Sequence, residues 1–596
     1  MDELEDASKV LQELENIHLS VGPLYQKVNC LKALINAENN ELDIIYNLVE
    51  SHSPGLRNKT VLRYEKLLED KNTTLHKTSQ LELTKESLSI KCPTYPKEKR
   101  VGEMLKQIQD MPKEWTVIQL TPQYNPMEIW NEDNNVHYTN SIQISFFNCN
   151  SKDKPFYVVA DAPRDKVNGT NIELCEELFT ILRMNKEVLL SHNQKRFPSH
   201  EAKYQYYGKM QSVEDRLKLL IKDMQNYWLK EWRCLFAGKY DEPIESQIKK
   251  DVNQELRAKV PDLKLTSKIE TILSCSVKNY LSLKINEVKD IVQYCFPEIK
   301  DKNIIRTIVN VIRTIGEKFF LDKGSTMKRH PVILVVHDSL DYFPWELIDV
   351  LEDQPVYRLP SLHFLYCLFK EHENDIVDGY KIVRKYDKGS YVVNPTNDLS
   401  AMETRMMAFF NYWLPTWTGV AGKKPSKDEF LEFLTSSEIL SFNGHGSGSY
   451  LVSMEKLQKT FVKAVVLLFG CSSSRIQRKD PQIEMFGDYY TYLIARCPCV
   501  LGMLWEVTDK STDDLTTDFL SYWIPSTAPK YWKFVNKAKW QKNGELVFKD
   551  RPIMEDEITW EPDLLRALIL AKKNLTYMMT KAACVARGIP VKIIKE

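Results

Sequence analysis

Residues 436–451 read SSEILSFNGHGSGSYL, residues 463–476 read KAVVLLFGCSSSRI, and residues 497–514 read CPCVLGMLWEVTDKSTDD. Each stretch contains one short apolar run that is bounded by Gly, Ser or Asp. The three runs are residues 439–442, 464–469 and 500–505. Runs of this length and composition are typical of buried strands in a parallel sheet. The three stretches therefore predict strands at the centre of an α/β domain.

A histidine and a cysteine follow the first two of these predicted strands. His445 lies between Gly444 and Gly446, and Cys471 follows Gly470, 26 residues beyond the histidine. That separation suits one strand–helix–strand excursion, and in an open α/β sheet ligands gather outside the carboxyl ends of the strands. A thiolate is a nucleophile, and a neighbouring imidazole can remove its proton and later protonate a leaving amine. The pattern predicts a Cys–His catalytic dyad.

The glycines that flank the dyad have a predicted role of their own. Because glycine has no Cβ, a substrate backbone can approach closely. We expect the backbone N–H groups of Gly446 and Cys471 to form an oxyanion hole. No residue in the sequence is obviously placed to orient the imidazole, so a third triad member stays unassigned. The alternative also stays open here, because a lone cysteine that closes a strand is most often buried and inert.

The two dyad motifs occur together with five further motifs. These are FPWE at 343–346, RLPSL at 358–362, YVVNP at 391–395, LWEVTD at 504–509 and GIPV at 588–591. The ordered set resembles the separase family of caspase-like cysteine peptidases. The resemblance is dense from about Pro331 onward and looser between about Trp115 and Gly238.

The resemblance implies an active cysteine endopeptidase with a caspase-like α/β domain and no cofactor. Its substrate would be the kleisin subunit of cohesin, cut after arginine to release sister chromatids at anaphase. The implied partners are a securin-type inhibitor and, by similarity to the short insect separases, a separate helical-repeat subunit. The implied location is the cytoplasm, with access to the nucleus, chromosomes and spindle in mitosis.

Two rival functions stay open at this point. One is a non-catalytic scaffold that keeps the caspase-like fold for partner binding, and the other is a caspase-like peptidase of another branch with a different specificity. The presence of both His445 and Cys471 speaks against the scaffold, because a scaffold has no need to retain both.

Recognition of arginine would require a carboxylate, because a guanidinium meets a carboxylate through two parallel hydrogen bonds. By the resemblance, the motif that begins at Trp505 makes Asp513 match the arginine-binding aspartate of the family, although Ser511 stands where another Asp is typical. Glu484 is a second candidate, and Trp505 completes the predicted substrate-binding set. The alternative is that these carboxylates cap helices or lie on the surface.

A chain of 596 residues is too long for a single core. Helical periodicity predicts an N-terminal helical layer at residues 1–111. Residues 112–240 show β-type alternation and then helical spacing, and the resemblance makes them an α+β pseudo-protease region. Residues 241–324 are a predicted helical connector. Residues 325–596 form the predicted catalytic domain, with a mostly parallel sheet between helices.

Two segments of the predicted catalytic domain have less regular patterns. Residues 529–549 are rich in Lys and Trp and lack periodicity, which predicts a mobile insertion. Residues 563–582 show helical spacing and predict one long helix that closes the domain.

Composition excludes several classes of protein. Lys+Arg and Asp+Glu are both 81, so the zero net charge gives no overall attraction to nucleic acid. No apolar run approaches the roughly 20 residues that span a bilayer, and the acidic N-terminus has no signal-peptide core. The twelve cysteines have no framework spacing, and only Cys497 and Cys499 form a close pair. We therefore expect a soluble intracellular protein without metal, membrane or direct nucleic-acid binding.

Overall fold

The structure is a computed structural model of the 596-residue chain. It describes residues 22–35, 40–69, 75–90, 96–124, 139–164, 172–191, 199–323, 327–478, 484–549 and 560–595. Within these ranges, none of the helices combines the length and the apolar character that crossing a membrane would need. The start of the predicted helical layer, residues 1–21, lies outside the described residues.

Strands from almost the whole chain meet in one large sheet. In chain order the strands are β1 Thr116–Pro122, β2 Ile142–Asn148, β3 Phe156–Ala160, β4 Val332–Val336, β5 Val356–Leu359, β6 Ile376–Val377, β7 Tyr380–Val383, β8 Gly389–Val393, β9 Thr418–Ala421, β10 Ile439–Asn443, β11 Val465–Leu468, β12 Cys499–Met503, β13 Cys584–Gly588 and β14 Val591–Ile593. Among the described residues, eleven of them form a sheet in the spatial order β3-β2-β1-β4-β5-β13-β12-β11-β10-β8-β9. The other three, β14, β7 and β6, form a small separate sheet.

Two blocks of parallel strands meet at the middle of the large sheet. Strands β1, β4, β5 and β13 run parallel to one another in the first block. Strands β12, β11, β10, β8 and β9 run parallel to one another in the second block. Because β12 and β13 are antiparallel, the two blocks run in opposite directions. The carboxyl ends of the second block therefore share one edge, and chemistry is expected there.

The strands predicted from the three opening stretches are confirmed as β10, β11 and β12. They are adjacent and parallel, with Ile439 opposite Val465 and Val466 opposite Val500. Every residue of the three strands is buried. Continuous burial explains why these strands read as unbroken apolar runs rather than as alternating ones. The predicted caspase-like fold class, a mostly parallel sheet flanked by helices, is confirmed.

Helices cover the sheet and form the N-terminal layer. In chain order they are α1 Gly22–Ile35, α2 Glu41–Glu50, α3 Pro54–Leu68, α4 Leu75–Leu88, α5 Lys97–Asp110, α6 Leu174–Ser191, α7 His200–Asp223, α8 Glu242–Lys259, α9 Ser267–Lys278, α10 Ile285–Cys295, α11 Lys302–Lys323, α12 Leu362–His372, α13 Ser400–Trp413, α14 Lys427–Ser436, α15 Met454–Gln458, α16 Tyr489–Ile494, α17 Asp509–Trp523, α18 Lys537–Asn543, α19 Leu564–Lys573 and α20 Met578–Ala583. Helices α1 to α5 confirm the predicted N-terminal helical layer.

The hydrophobic core runs without interruption from the N-terminal helices to the sheet. Ile45 of α2 and Leu56 of α3 belong to the same buried cluster as Val117 of β1 and Leu334 of β4. Strand β1 also pairs in parallel with β4, although the predicted helical connector separates the two strands in the sequence. The predicted pseudo-protease region thus contributes three strands to the same sheet as the catalytic domain. The segment boundaries that were drawn from the sequence stay predictions.

Two predictions for the C-terminal part are wrong. Residues 563–582 form two helices, α19 and α20, and the chain then adds β13 to the middle of the sheet. Residues 529–549 are not a loose insertion, because the rings of Trp532 and Trp540 are 1% and 0% exposed. These two rings pack edge to face with their centroids 5.4 Å apart. The burial of large aromatic surface anchors a segment that has no periodic pattern.

Candidate active site

The loops that follow β10 and β11 touch at Gly470. The loop after β10 turns at Gly446, which has a φ of +61°, a conformation that glycine adopts without strain. The backbone of Gly444 and Gly446 lies directly against the Cα of Gly470. Because His445 sits between those two glycines and Cys471 follows Gly470, the two predicted dyad residues lie on adjoining loops. The predicted oxyanion donors, the N–H groups of Gly446 and Cys471, lie on the same two loops, and both roles stay predictions.

Cys471 differs from the other cysteines in its accessibility. Of the eleven cysteines that the described ranges contain, ten are buried and Cys471 is only partly buried. Its Sγ donates a hydrogen bond to the carbonyl oxygen of Val507 at 3.3 Å. Burial raises the pKa of the Cys471 thiol, and the carboxylates of Glu506 and Asp509 also raise it. The resting form is therefore the thiol, which could act as a nucleophile only after a base had removed its proton.

Arg587 of β13 holds the turn that follows Cys471. Ser472 has a φ of +55°, which is uncommon for a residue other than glycine. Arg587 donates from Nε to the hydroxyl of Ser474 at 2.6 Å and from Nη2 to its carbonyl oxygen at 3.0 Å. The same guanidinium forms a two-pronged pair with Asp341, at 2.8 and 2.6 Å. A strained turn persists only where its surroundings hold it. The backbone N–H of Ser472 donates to the carbonyl oxygen of Trp505 at 3.2 Å, and the buried Arg587 fixes the turn two residues further on.

His445 is half exposed and is hydrogen-bonded to Asp398. Its Nε2 lies 3.0 Å from Oδ2 of the carboxylate. The hydroxyl of Thr396 donates to the same carboxylate, and this bond together with His445 holds the pKa of Asp398 below its ordinary value. Among the described residues, the hydrogen-bond partner of the Cys471 thiol is Val507 and not His445. The structure therefore supplies a partner for the imidazole that the sequence did not reveal.

Asn394 builds the loop that carries Asp398. Its side-chain oxygen accepts from the backbone N–H groups of Asp398 at 3.1 Å and Leu399 at 3.0 Å. Its amide nitrogen donates to Glu403 at 2.7 Å, and its own backbone N–H donates to the carbonyl oxygen of Asn443 at 2.8 Å. The only sequence signal for this loop was the Asn-Pro pair that ends the YVVNP motif, which is typical of a turn.

The predicted arginine-binding carboxylate already has a guanidinium from the chain itself. Arg405 of α13 donates from Nε to Asp513 at 2.6 Å and from Nη2 to Asp509 at 3.0 Å. The side chains of Arg405 and Asp513 are 4% and 3% exposed, whereas Asp509 is half exposed. Asp513 therefore lies in a buried ion pair and not on an open pocket floor. Its role in substrate binding stays a prediction, and the structure adds a second role, the ion pair with Arg405.

The other two predicted substrate-binding residues also have structural contacts. Glu484 accepts hydrogen bonds from the N–H groups of Gly55 at 2.7 Å and Leu56 at 3.2 Å, at the N-terminus of α3. Burial raises the pKa of this carboxyl to about 7. Trp505 is buried, and its Nε1 donates to the carbonyl oxygen of Met579 at 3.1 Å. These contacts favour the helix-capping alternative for Glu484, while the substrate-binding roles of both residues stay predictions.

Comparison with known proteins assigns the family. The family model described as "Separin, protease domain" matches residues 149–512 of this chain. The Separin of Schizosaccharomyces pombe is 25% identical over 367 residues, which cover 58% of this chain and 19% of that protein. The Separin of Mus musculus is 29% identical over 318 residues, which cover 52% of this chain and 14% of that protein. The chain thus spans less than a fifth of the length of these two relatives.

A solved structure has the same fold. The crystal structure of the Saccharomyces cerevisiae separase–securin complex superposes with a TM-score of 0.68 and 19% identity, and the match covers 96% of this chain and 36% of that chain. The family match covers more than half of the chain, and it includes both loops that carry His445 and Cys471. This chain therefore belongs to the separin family and carries its caspase-like protease domain.

Proposed function

We propose that this chain is a cysteine endopeptidase in which Cys471 is the nucleophile and His445 is the general base. The contact between their loops at Gly470 carries the proposal, because it brings the loop of His445 against the turn that begins at Cys471, the most accessible cysteine of the described chain. The raised pKa of the Cys471 thiol makes such a base necessary at neutral pH.

The reaction would follow the usual course of acyl transfer to a thiol. His445 removes the proton from Cys471, and the thiolate attacks the carbonyl carbon of the scissile peptide bond. The N–H groups of Gly446 and Cys471 donate hydrogen bonds to the oxyanion of the tetrahedral intermediate. The imidazolium then protonates the leaving amine, and water activated by the imidazole hydrolyses the thioester.

The proposed substrate is the kleisin subunit of cohesin, cut after arginine to separate sister chromatids. Membership of the separin family supports this proposal. The carboxylates of Glu506 and Asp509 lie close enough to Cys471 to raise the pKa of its thiol, and each is also within ion-pair distance of an arginine of the chain, Arg475 and Arg405 respectively. Asp513 remains the proposed specificity carboxylate by resemblance.

The proposed partners and location follow from the family. A securin-type inhibitor is supported by the solved structural relative, which is a separase–securin complex. A separate helical-repeat subunit is proposed from the resemblance to the short insect separases. The proposed location is the cytoplasm, with access to nucleus, chromosomes and spindle during mitosis.

The test is cleavage of a kleisin fragment by the purified protein, alone and together with a candidate helical-repeat subunit. Wild type is expected to cut after arginine, and Cys471→Ser and His445→Ala are expected to lose several orders of magnitude in turnover while staying folded. An arginine-ended acyloxymethyl ketone is expected to label Cys471 and no other of the twelve cysteines. Labelling at another cysteine, or wild-type turnover in Cys471→Ser, would contradict the proposal.

A further inference from the structure

We propose that Asp398 is a positioning residue for His445, which holds the imidazole by Nε2 and leaves Nδ1 to exchange a proton with the Cys471 thiol. The inference rests on the proposed peptidase function, because it assigns a partner to the general base of that reaction. It extends the two-residue site to three, with the third residue supplied by the loop that follows the neighbouring strand β8.

The sheet brings Asp398 and His445 together. Strand β8 lies beside β10 in parallel, with Val393 opposite Asn443 at their carboxyl ends. The loops that leave these two strands are therefore neighbours, and they carry Asp398 and His445. The resulting Oδ2–Nε2 distance of 3.0 Å is that of a hydrogen bond.

Hydrogen bonds within the chain fix the position of the Asp398 carboxylate without a substrate. Asn394 is buried and has a φ of +50°, and its side-chain oxygen holds the backbone N–H groups of Asp398 and Leu399. The hydroxyl of Thr396 donates to one carboxylate oxygen and leaves Oδ2 for His445. The hydrogen bonds from Thr396 and His445 also hold the pKa of Asp398 below its ordinary value, so the group is ionised at neutral pH.

An ionised carboxylate decides which nitrogen of the imidazole does the chemistry. It can only accept a hydrogen bond, so Nε2 must carry the hydrogen and the lone pair of the neutral ring lies on Nδ1. Nδ1 is then the atom that accepts the thiol proton and later donates it to the leaving amine. When the ring gains that proton, the negative charge of Asp398 stabilises it.

Exposure limits the size of the effect. The His445 and Asp398 side chains are 55% and 58% exposed, and solvent weakens a pair of that kind compared with a buried one. We therefore expect the loss of Asp398 to cost much less than the loss of His445. A decrease in kcat on the order of 10- to 100-fold is expected, against about 100- to 10,000-fold for a general base itself.

The experiment compares Asp398→Asn, Asp398→Ala and Asp398→Glu with wild type, using an arginine-ended peptide and, separately, iodoacetamide alkylation of Cys471. Asp428→Asn is the matched control, since Asp428 is an exposed aspartate whose ion pair is with Lys456. Asp398→Asn and Asp398→Ala are expected to lower kcat with KM within about twofold of wild type, and to slow alkylation. Asp398→Glu is expected to recover part of the loss, and Asp428→Asn is expected to match wild type.

The readouts separate this inference from the proposed function. If Cys471 alkylation depends on His445 and Asp398 but no kleisin is cut, the positioning role stands and the substrate proposal fails. If alkylation does not depend on His445, the proposed dyad fails. An Asp398→Asn protein that is as active as wild type, or more active, would overturn the positioning role, because the carboxylate would then be idle or would hold His445 away from the thiol.

Discussion

Gly470 and Gly446 are in backbone contact so close that a Cβ at position 470 would stand 2.1 Å from the carbonyl oxygen of Gly446. It would also stand 2.5 Å from the carbonyl oxygen of Gly444. Only glycine fits at this point, because the atoms that a side chain would meet belong to the main chain and cannot move aside by rotation. Because Gly470 has no Cβ, the loop that carries His445 can lie directly against the turn that begins at Cys471.

Gly470→Ala is expected to push the His445 loop away from Cys471. Overpacking of this kind costs about 1–3 kcal/mol in stability, and a displacement of about 1 Å at a catalytic group can cost roughly 100-fold in rate. The measurements are thermal unfolding and the rate of Cys471 labelling. Gly208→Ala is the control, because an added Cβ meets nothing within 4 Å there and alanine favours the helix. A fully active Gly470→Ala protein would show that the loop contact is not required.

Glu484 is expected to make stability depend on pH. Its pKa is raised from an ordinary value of 4.5 to about 7, so between these values the folded protein binds the proton more tightly than the unfolded chain does. Its stabilising contribution is therefore present at pH 4.5 and is lost as the pH rises through 7. The full shift corresponds to roughly 3 kcal/mol, an upper limit for a group that is only partly buried.

The measurement is the free energy of unfolding of wild type and Glu484→Gln between about pH 4.5 and about pH 8, a window that spans both pKa values. The variant cannot ionise, so wild type is expected to lose stability relative to it as the pH rises. Burial lowers the pKa of His52, which acts in the opposite direction, but His52 is present in both proteins and cancels in the difference. A difference that does not change with pH would contradict the expectation.

The Arg405–Asp513 pair is expected to stabilise the fold. Removal of one member of a buried ion pair typically costs about 3–5 kcal/mol, because the remaining charge loses its buried partner. When Asp513 is replaced, Arg405 keeps its hydrogen bond to the half-exposed Asp509, so the loss is expected at the lower end of that range. Asp513→Asn and Arg405→Gln are each expected to lower the free energy of unfolding by an amount of that order. In a double-mutant cycle the double variant is expected to lose less than the sum of the two. An Asp513→Asn protein that is as stable as wild type but selectively slow on arginine substrates would instead support the substrate-binding role.

Trp540 is expected to anchor the segment that its sequence suggested was mobile. Its ring is fully buried, and its Nε1 donates to the carbonyl oxygen of Arg405 at 3.0 Å. Trp540→Ala is expected to lower the free energy of unfolding by about 3–5 kcal/mol, as large core truncations do. Limited proteolysis of the native wild type is expected to leave residues 529–549 intact. If the protease rapidly cut residues 529–549 of the folded wild type, the result would contradict the conclusion that this segment is anchored.

The sequence alone determined the elements whose signals are local. The three apolar runs specified β10, β11 and β12, because a strand that is buried on both faces must be apolar at every position. Helical periodicity likewise indicated the N-terminal layer. The glycines around His445 and Cys471 marked the two loops, since close backbone approach leaves a direct trace in residue type.

Tertiary structure alone decided what depends on partners that are distant in the chain. β13 completes the middle of the sheet between β12 and β5, yet its five residues carry no signal of which strands they will join. Asp398 reaches His445 across 47 residues, and Arg405 reaches Asp513 across 108. A carboxylate has the same local pattern whether it caps a helix, binds a substrate or holds an imidazole. Its role is decided by the group that the fold brings within about 3 Å of it, and only the packing of the whole chain determines that group.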